Sequence, residues 1–523
     1  MIPRSSRRQF TRQLVRLAAS SLALPTMVRG ETAVPSLLSS SSRPRMDFGV
    51  ACGDVGEDSA VVWSRADRAG RMVVEWSTDE RFRRDVRRIT GPVVGASTDH
   101  TGKVLLRRLP AGQTVFYRVQ FEGRGSTREL SDAVVGRLRT ASREPSDVYF
   151  AWSGDTCGQG YGIDASRGGL ATYRAIHGLE PDFLVHSGDL IYADNPIPAS
   201  IDLPDGTRWR NLVTAEKSKV AETLAEFHGN YRYPLQDPQV RECNAHVPVF
   251  AQWDDHEVRN NWYPGQKLAE DDRYVVKDVD LLAARARQAF FDYQPVRPSR
   301  DAKIYRVVRR GPLCDLFFLD LRSYRSANNT NRQPTLGADS RILGENQWKW
   351  ITSALRRSTA RWKIVCCDMP LGLNVGDTGG RWEAVANGDP GAPLGRELEI
   401  AELLKSLKRS RVRNVLWLTA DVHYAAAHHY DPARAVFTEF DPFWEFVSGP
   451  LHAGSFGPGD FDRTFGPEVR WRSREPGALQ NLPPSANQQY FGTVRIAASS
   501  GVATVTQYNR LGERLWSVEI PPV

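Results

Sequence analysis

Two short apolar runs of this chain stop on the same tripeptide, and that repetition limits the fold more than any other feature of the sequence. Val148-Tyr149-Phe150-Ala151-Trp152 runs into Ser153-Gly154-Asp155, and Phe183-Leu184-Val185 leads through His186 into Ser187-Gly188-Asp189. Apolar, aromatic-rich runs of this length read as strands, and a Gly lets the backbone turn sharply where each one ends. Asp155 and Asp189 then project from strand C-terminal edges toward one region, where two carboxylates repel unless a cation or a proton lies between them. Two further runs repeat the form. Val249 to Trp253 leads into Asp254-Asp255-His256-Glu257-Val258-Arg259-Asn260-Asn261, and Val415 to Thr419 leads into Ala420-Asp421-Val422-His423-Tyr424. Taken singly, each of these residues also reads as a capping Asp, a core His or a packing Tyr. Four strand ends of one chemistry point instead to a metal site.

The rest of the chain sorts around those strands. Residues 47–140 hold short alternating strands separated by turn residues, the texture of a small immunoglobulin- or fibronectin-like β-sandwich. From residue 147 to 523 strands alternate with helical patterns, among them Trp348, Ile351, Leu355 and Ile400, Leu403, Leu404, Leu407. This predicts an α/β domain, a mixed sheet core flanked by helices, with its chemistry on strand-end loops. Three long stretches dense in Gly, Pro, Asp and Asn (residues 197–209, 369–394 and 458–487) are expected as loops walling the site.

Charge narrows the partners. Of the net +8, six charges belong to arginines within residues 1–30, which hold no Asp or Glu, so residues 31–523 carry only +2. No basic tract with interleaved aromatics occurs, and no specific nucleic-acid binding is expected. Ser6-Arg7-Arg8-Gln9-Phe10 followed by a short apolar segment resembles a twin-arginine export signal over residues 1–30, with a Ser/Pro-rich linker over 31–46. The twin-arginine machinery is then a partner, and the mature protein is expected in the periplasm or outside the cell, without a transmembrane segment and as a monomer. Six cysteines without a C-x-x-C pair argue against a disulfide scaffold or a thiolate zinc site.

Carboxylates, amides, one or two imidazoles and the phenol of Tyr192, three residues after Asp189, suit Fe, Mn, Ca or Zn. The order of these motifs resembles the alkaline phosphatase D (PhoD-type) family of the calcineurin-like metallophosphoesterase superfamily. The resemblance rests on G-D-x-x-Y at Gly188 to Tyr192, W-D-D-H-E-x-x-N-N at Trp253 to Asn261, and D-V-H at Asp421 to His423. Phe48 to Val55, Asp320 to Arg325 and Phe446 to Pro450 add to it.

The family resemblance implies a four-layer αββα fold and a multinuclear site, Fe3+ with Ca2+ first and Zn2+ or Mn2+ as alternatives. By position Asp189 bridges metals, Tyr192 ligates the ferric ion, and Asp421 and His423 are ligands. From the middle motif Asp255 or Asn261 ligates while His256 serves as proton donor or charge stabiliser. Arg322 is a candidate phosphate contact or a structural ion pair. Asp155 stands where the best-known members have Cys, with Cys157 two positions late, and Ala420 stands where many have Gly. The activity implied is hydrolysis of phosphate monoesters or diesters, from a small molecule or a polymer, by water activated at the metals. Alternatives are a mainly phosphodiesterase or phospholipase-D-like enzyme, or an exported surface-binding protein without catalysis.

Overall fold

The computed structural model describes residues 43–124, 129–299 and 301–523. The expected export signal and residues 31–42 of the linker lie outside the described residues. Residues 43–523 form one compact unit.

Two sheets make its centre. Six strands run in the order Val249–Gln252, Leu184–Ser187, Val148–Ser153, Tyr490–Ile496, Ala503–Asn509 and Arg514–Ile520, the first three parallel and the rest antiparallel. Seven run in the order Arg306–Arg309, Cys314–Phe318, Trp362–Cys366, Val415–Thr419, Phe443–Val447, Ala426–Tyr430 and Pro467–Arg472. Within this sheet Cys314–Phe318, Trp362–Cys366, Val415–Thr419 and Phe443–Val447 are mutually parallel.

Strand alternation decides which face each residue takes. Phe150, Trp152, Val185 and Phe250 from the first sheet join Leu316, Phe318, Ile364, Leu416, Leu418 and Phe446 from the second in one buried cluster between the sheets. Their neighbours Ala151, Leu184 and Ala251 face outward onto the helices Ala171–Gly178, Leu224–Arg232, Pro238–His246 and Val279–Tyr293. On the other side Phe317, Val365 and Trp417 face the helices Glu345–Arg357 and Glu397–Arg409 through Ile351, Leu355, Ile400, Leu403 and Leu404. The result is the expected αββα stack, with both expected amphipathic stripes in place. Each fully buried Leu, Ile or Phe in it contributes roughly 1.5–3 kcal/mol of transfer free energy.

The N-terminal all-β part consists of a three-stranded antiparallel sheet (Val50–Gly53, Ser59–Arg65, Thr101–Arg107) and a four-stranded one (Arg87–Val94, Gly70–Ser77, Thr114–Gly123, Val134–Arg139). Val62, Val74, Val104, Leu106, Tyr117 and Val119 fill it and are continuous with the inter-sheet cluster. Polar contacts fasten the same seam. Trp63 Nε1 donates to the Asp292 carbonyl at 2.8 Å, and Asp99 accepts from Arg65, Arg232 and Tyr293.

All three long stretches are more ordered than expected, and the middle one holds the short antiparallel pair Gly376–Asp377 with Arg381–Trp382. Ser200–Asp202 and Arg208–Arg210 pair as a hairpin, and Pro467–Arg472 is the edge strand of the seven-stranded sheet. Turn residues that dominate these segments by count surround short strands, paired locally in the hairpin and with the distant Ala426–Tyr430 at the edge strand. Among the described residues no helix is long and apolar enough to cross a membrane.

Candidate metal centre

The C-terminal ends of the parallel strands of both sheets meet at one place. There Asp155, Asp189, Asp421 and His423 all take positive φ (67°, 51°, 67° and 58°), and Asn261 has φ 56°. Asp and Asn tolerate this region better than most residues, and backbone held there is over-determined by its surroundings. The two strand-end glycines serve different ends. Gly188 has φ 109°, which supplies the turn, and a Cβ on it would lie 2.4 Å from the Asp254 Cβ. Gly154 permits close approach, since a Cβ there would lie 2.8 Å from the Ala420 methyl. The methyl of Ala420 therefore fills space that Gly154 leaves open.

Three groups of donor atoms form, each with its members within 4.8 Å of one another: Asp155, Asp189 and His423; Asp189, Asp255 and His256; and Asp254, Asp255 and Asp421. Asp189 and Asp255 each belong to two groups, which chains the three together. Tyr192 adjoins the first, its hydroxyl 2.8 Å from His423 Nε2 and its ring stacked on His256 at 4.3 Å. The Asn261 backbone N–H donates to Asp255 at 2.6 Å, and its side chain lines the same cavity. That cavity, about 370 Å³, is bordered by Asp189, Asp255, His256, Asn260, Asp421 and His423, and also by Leu373, Val375 and Gly459 from the second and third long stretches.

Electrostatics favours a cation here. Burial first, and then the neighbouring carboxylates, push Asp155, Asp189 and Asp421 well above the usual carboxylate range. Buried oxygens of Asp155 (Oδ2), Asp254 (Oδ2) and Asp255 (Oδ1) have no hydrogen-bond partner. Buried carboxylate oxygens left without partners on residues of linked donor groups are what hard metal ions satisfy, so this donor set fits the implied metals.

Several residues behind these donor groups were not singled out by sequence reasoning. Asp194 accepts from His256 Nδ1 at 2.7 Å and from the Asn260 N–H at 2.9 Å. Burial alone would lower His256, but the charges of Asp194 and Asp255 outweigh it and push the imidazole up to about 10. Glu257 accepts from the N–H groups of Asp189 (3.1 Å), Leu190 (2.6 Å) and Asp254 (2.7 Å), tying two strand ends together. Lys217 Nζ donates to the Tyr192 carbonyl at 2.7 Å.

One expectation is corrected. Arg322 does not border the cavity as a phosphate contact; it is fully buried behind the wall. Its Nε lies 2.6 Å from Asp254 and 3.4 Å from Asp368, Nη1 bonds Glu383, and Nη2 lies 3.8 Å from Asp421. Four carboxylates in a dry setting claim the guanidinium, which makes it the structural alternative: a hub that places acids. Cys157 is buried among Ile163, Leu170 and Tyr173, burial pushes its thiol up, and it belongs to none of the donor groups. All six cysteines are free and buried.

Comparison with known proteins gives a consistent result. A family model described as PhoD-like phosphatase matches residues 150–507, and one described as PhoD-like phosphatase, N-terminal domain matches residues 32–142. Alkaline phosphatase D of Bacillus subtilis (strain 168) is 28% identical over 480 residues, which is 86% of this chain and 77% of that protein. A solved structure of PhoD superposes with a TM-score of 0.68 at 22% identity, covering 92% of this chain and 90% of that one. Purple acid phosphatase PPD1 from seeds of yellow lupin (Lupinus luteus) gives 0.54 at 14% identity, covering 91% and 74%. The two structures establish the common fold.

Proposed function

Because the chain belongs to the PhoD-like phosphatase family and is thereby a phosphatase hydrolase, we propose that it is an exported enzyme that hydrolyses phosphate monoesters, diesters or both at a multinuclear metal centre. The observation that carries this reading is the meeting of carboxylates and imidazoles from separate strand ends in three linked donor groups beside one cavity. Asp155, Asp189, Tyr192, Asp255, Asn261, Asp421 and His423 would hold the ions. Fe3+ with Ca2+ is favoured by the phenol, the carboxylates and the family, and Zn2+ or Mn2+ would suit the carboxylate Asp155. Bound there, the metals supply acidified water and offset charge on the phosphoryl oxygens.

The protein's own part centres on His256. With Nδ1–H given to Asp194, its Nε2 is the atom left to face the cavity, and it holds a proton for the departing alkoxide as the phosphorus–oxygen bond breaks. Glu257 and Lys217 fix the Asp189 to Asp194 loop on which both the ligands and Asp194 ride. No Ser or Cys nucleophile is required. Diesters are favoured over monoesters by the lining, which includes Leu373, Val375, Val422 and Phe456 but neither Lys nor Arg. A monoanionic phosphate with an apolar substituent meets such a wall at less cost than a dianion does.

Elemental analysis of the purified protein, with nitrophenyl monoester and diester assays before and after chelation, tests the scheme. At least two metal equivalents per chain, activity lost on chelation and restored by metal, and a folded Asp189→Ala variant slower by orders of magnitude are expected. Full turnover by metal-free protein would refute it.

A further inference from the structure

A second set of metal-type donors lies far from the cavity. His177 is in the last turn of the helix Ala171–Gly178, and His246 is the last residue of the helix Pro238–His246. Glu242 precedes His246 by one helical turn, so both lie on one face of that helix. One donor atom from each of His177, Glu242 and His246 falls within 4.8 Å of the others. The two imidazole rings stack at 5.1 Å between centroids, 16° apart, and His246 Nδ1 lies 3.3 Å from the Glu242 carboxylate. His246 Nδ1 is also 2.9 Å from the Glu242 carbonyl, the kind of contact that fixes the orientation of a ligating imidazole.

The location separates this trio from the catalytic machinery. The two helices lead into the strands Leu184–Ser187 and Val249–Gln252, which run parallel and carry Asp189 and the Asp254 to Glu257 loop at their far ends. The trio therefore sits at the opposite edge of the sheet. On its other side is the strand Val134–Arg139 of the all-β part, where Arg137 pairs with Glu180 at 2.8 Å.

We propose that His177, Glu242 and His246 form a separate surface site for a borderline divalent transition ion of the Zn2+ or Cu2+ class, clamping two helix ends at the base of the strands that carry the catalytic loops. Two nitrogens and one carboxylate oxygen select such ions over Ca2+ or Mg2+, and a solvent-facing fourth position is open to water. Two stacked imidazoles repel when both are protonated, and burial together with the adjacent His246 lowers His177. The neutral pair offers lone pairs instead. Side chains exposed by 31% at His246 and 61% at Glu242 can close the triangle to bonding distance by rotation.

The test uses the full-length protein with its resident metals in place. Zinc chloride is titrated by calorimetry into the wild type and into a His177→Ala/His246→Ala double variant, and thermal unfolding of both is followed with and without zinc. The wild type should bind one equivalent more than the double variant and should alone gain an upward shift in its zinc-dependent midpoint, while phosphoesterase activity without added zinc is the same in both. Glu242→Gln should weaken the extra equivalent without removing it. Copper electron paramagnetic resonance of the wild type is independent of any variant's folding and should show coupling to two imidazole nitrogens. Equal zinc stoichiometry in the two proteins, or a copper spectrum without coupled nitrogens, would overturn the site.

Discussion

At the scale of single residues, the contact with most to say about chemistry is His256 Nδ1 to Asp194 at 2.7 Å, because both partners are buried and only the imidazole reaches the cavity. If His256 protonates the leaving oxygen, its value must depend on how much help that oxygen needs. His256→Ala is expected to slow hydrolysis of an alkyl phosphoester by about 10²-fold or more, the usual scale of general-acid help. With a nitrophenyl ester, whose leaving group departs unprotonated, the loss should be much smaller. Asp194→Asn should reproduce the same dependence in weaker form, since it removes the group that orients the ring and supports its charge. A plot of log kcat against leaving-group pKa for the three proteins checks this, and parallel lines would remove the proton-donor role. Arg322 carries the opposite lesson. Its basic side chain within the Asp320 to Arg325 segment suggests a phosphate contact, yet the fold surrounds it with Asp254, Asp368, Glu383 and Asp421. All four of those acids lie more than 45 positions from it in the chain, so no local pattern announces them.

Single elements explain why so much of the site was readable in advance. A strand whose apolar run breaks into acids or imidazoles states its role within a few consecutive residues, and this groups Asp155, Asp189, Asp255, His256, Asp421 and His423. The same signal stands at Asp368, which follows the strand Trp362–Cys366 and the apolar Cys367. Asp194, two residues past Tyr192, is a further acid on the same loop, and it orients His256. The hairpin Ser200–Asp202 with Arg208–Arg210 and the edge strand Pro467–Arg472 were not legible, because pairing partners rather than composition make them strands. Strand ends also define where the centre tolerates no volume. Gly188→Ala introduces a Cβ where φ is 109° and where the Asp254 Cβ would be 2.4 Å away. Strain at φ and overpacking together are expected to cost roughly 2–4 kcal/mol, and relief can come only by moving the Asp254 loop. Urea denaturation should report the stability loss, and metal content measured on the folded fraction should fall with it. A variant with wild-type stability and full metal content would mean that the turn is looser than its geometry indicates.

For the molecule as a whole, the question is what holds the all-β part onto the αββα stack. One buried cluster runs through both, and at its edge Asp99 of the all-β part gathers Arg65 from its own side with Arg232 and Tyr293 from the helices Leu224–Arg232 and Val279–Tyr293. Burial pushes the Asp99 carboxyl up, but the hydrogen bonds of Arg65 and Tyr293 and the charges of Arg65 and Arg232 outweigh it and hold the group well below the usual carboxylate range. The sign of the linkage follows. Because the folded protein binds this proton less readily than the unfolded chain does, the ionised group stabilises the fold in full above its unfolded pKa of about 3.9. As pH falls below that value the unfolded chain takes up the proton first, and the contribution is lost progressively until the folded pKa is passed. Asp99→Asn leaves Arg65 without its anion and Arg232 with Glu216 alone, and it is expected to cost roughly 1.5–3 kcal/mol near neutral pH, the range for hydrogen bonds to charged groups. The difference from wild type should then shrink as pH is lowered from 6 toward 3, because the wild type loses by protonation what the variant already lacks. Denaturation midpoints of the two proteins across that range check this. A gap that stays constant or widens on acidification would show that hydrophobic burial, and not the Asp99 cluster, fastens the seam.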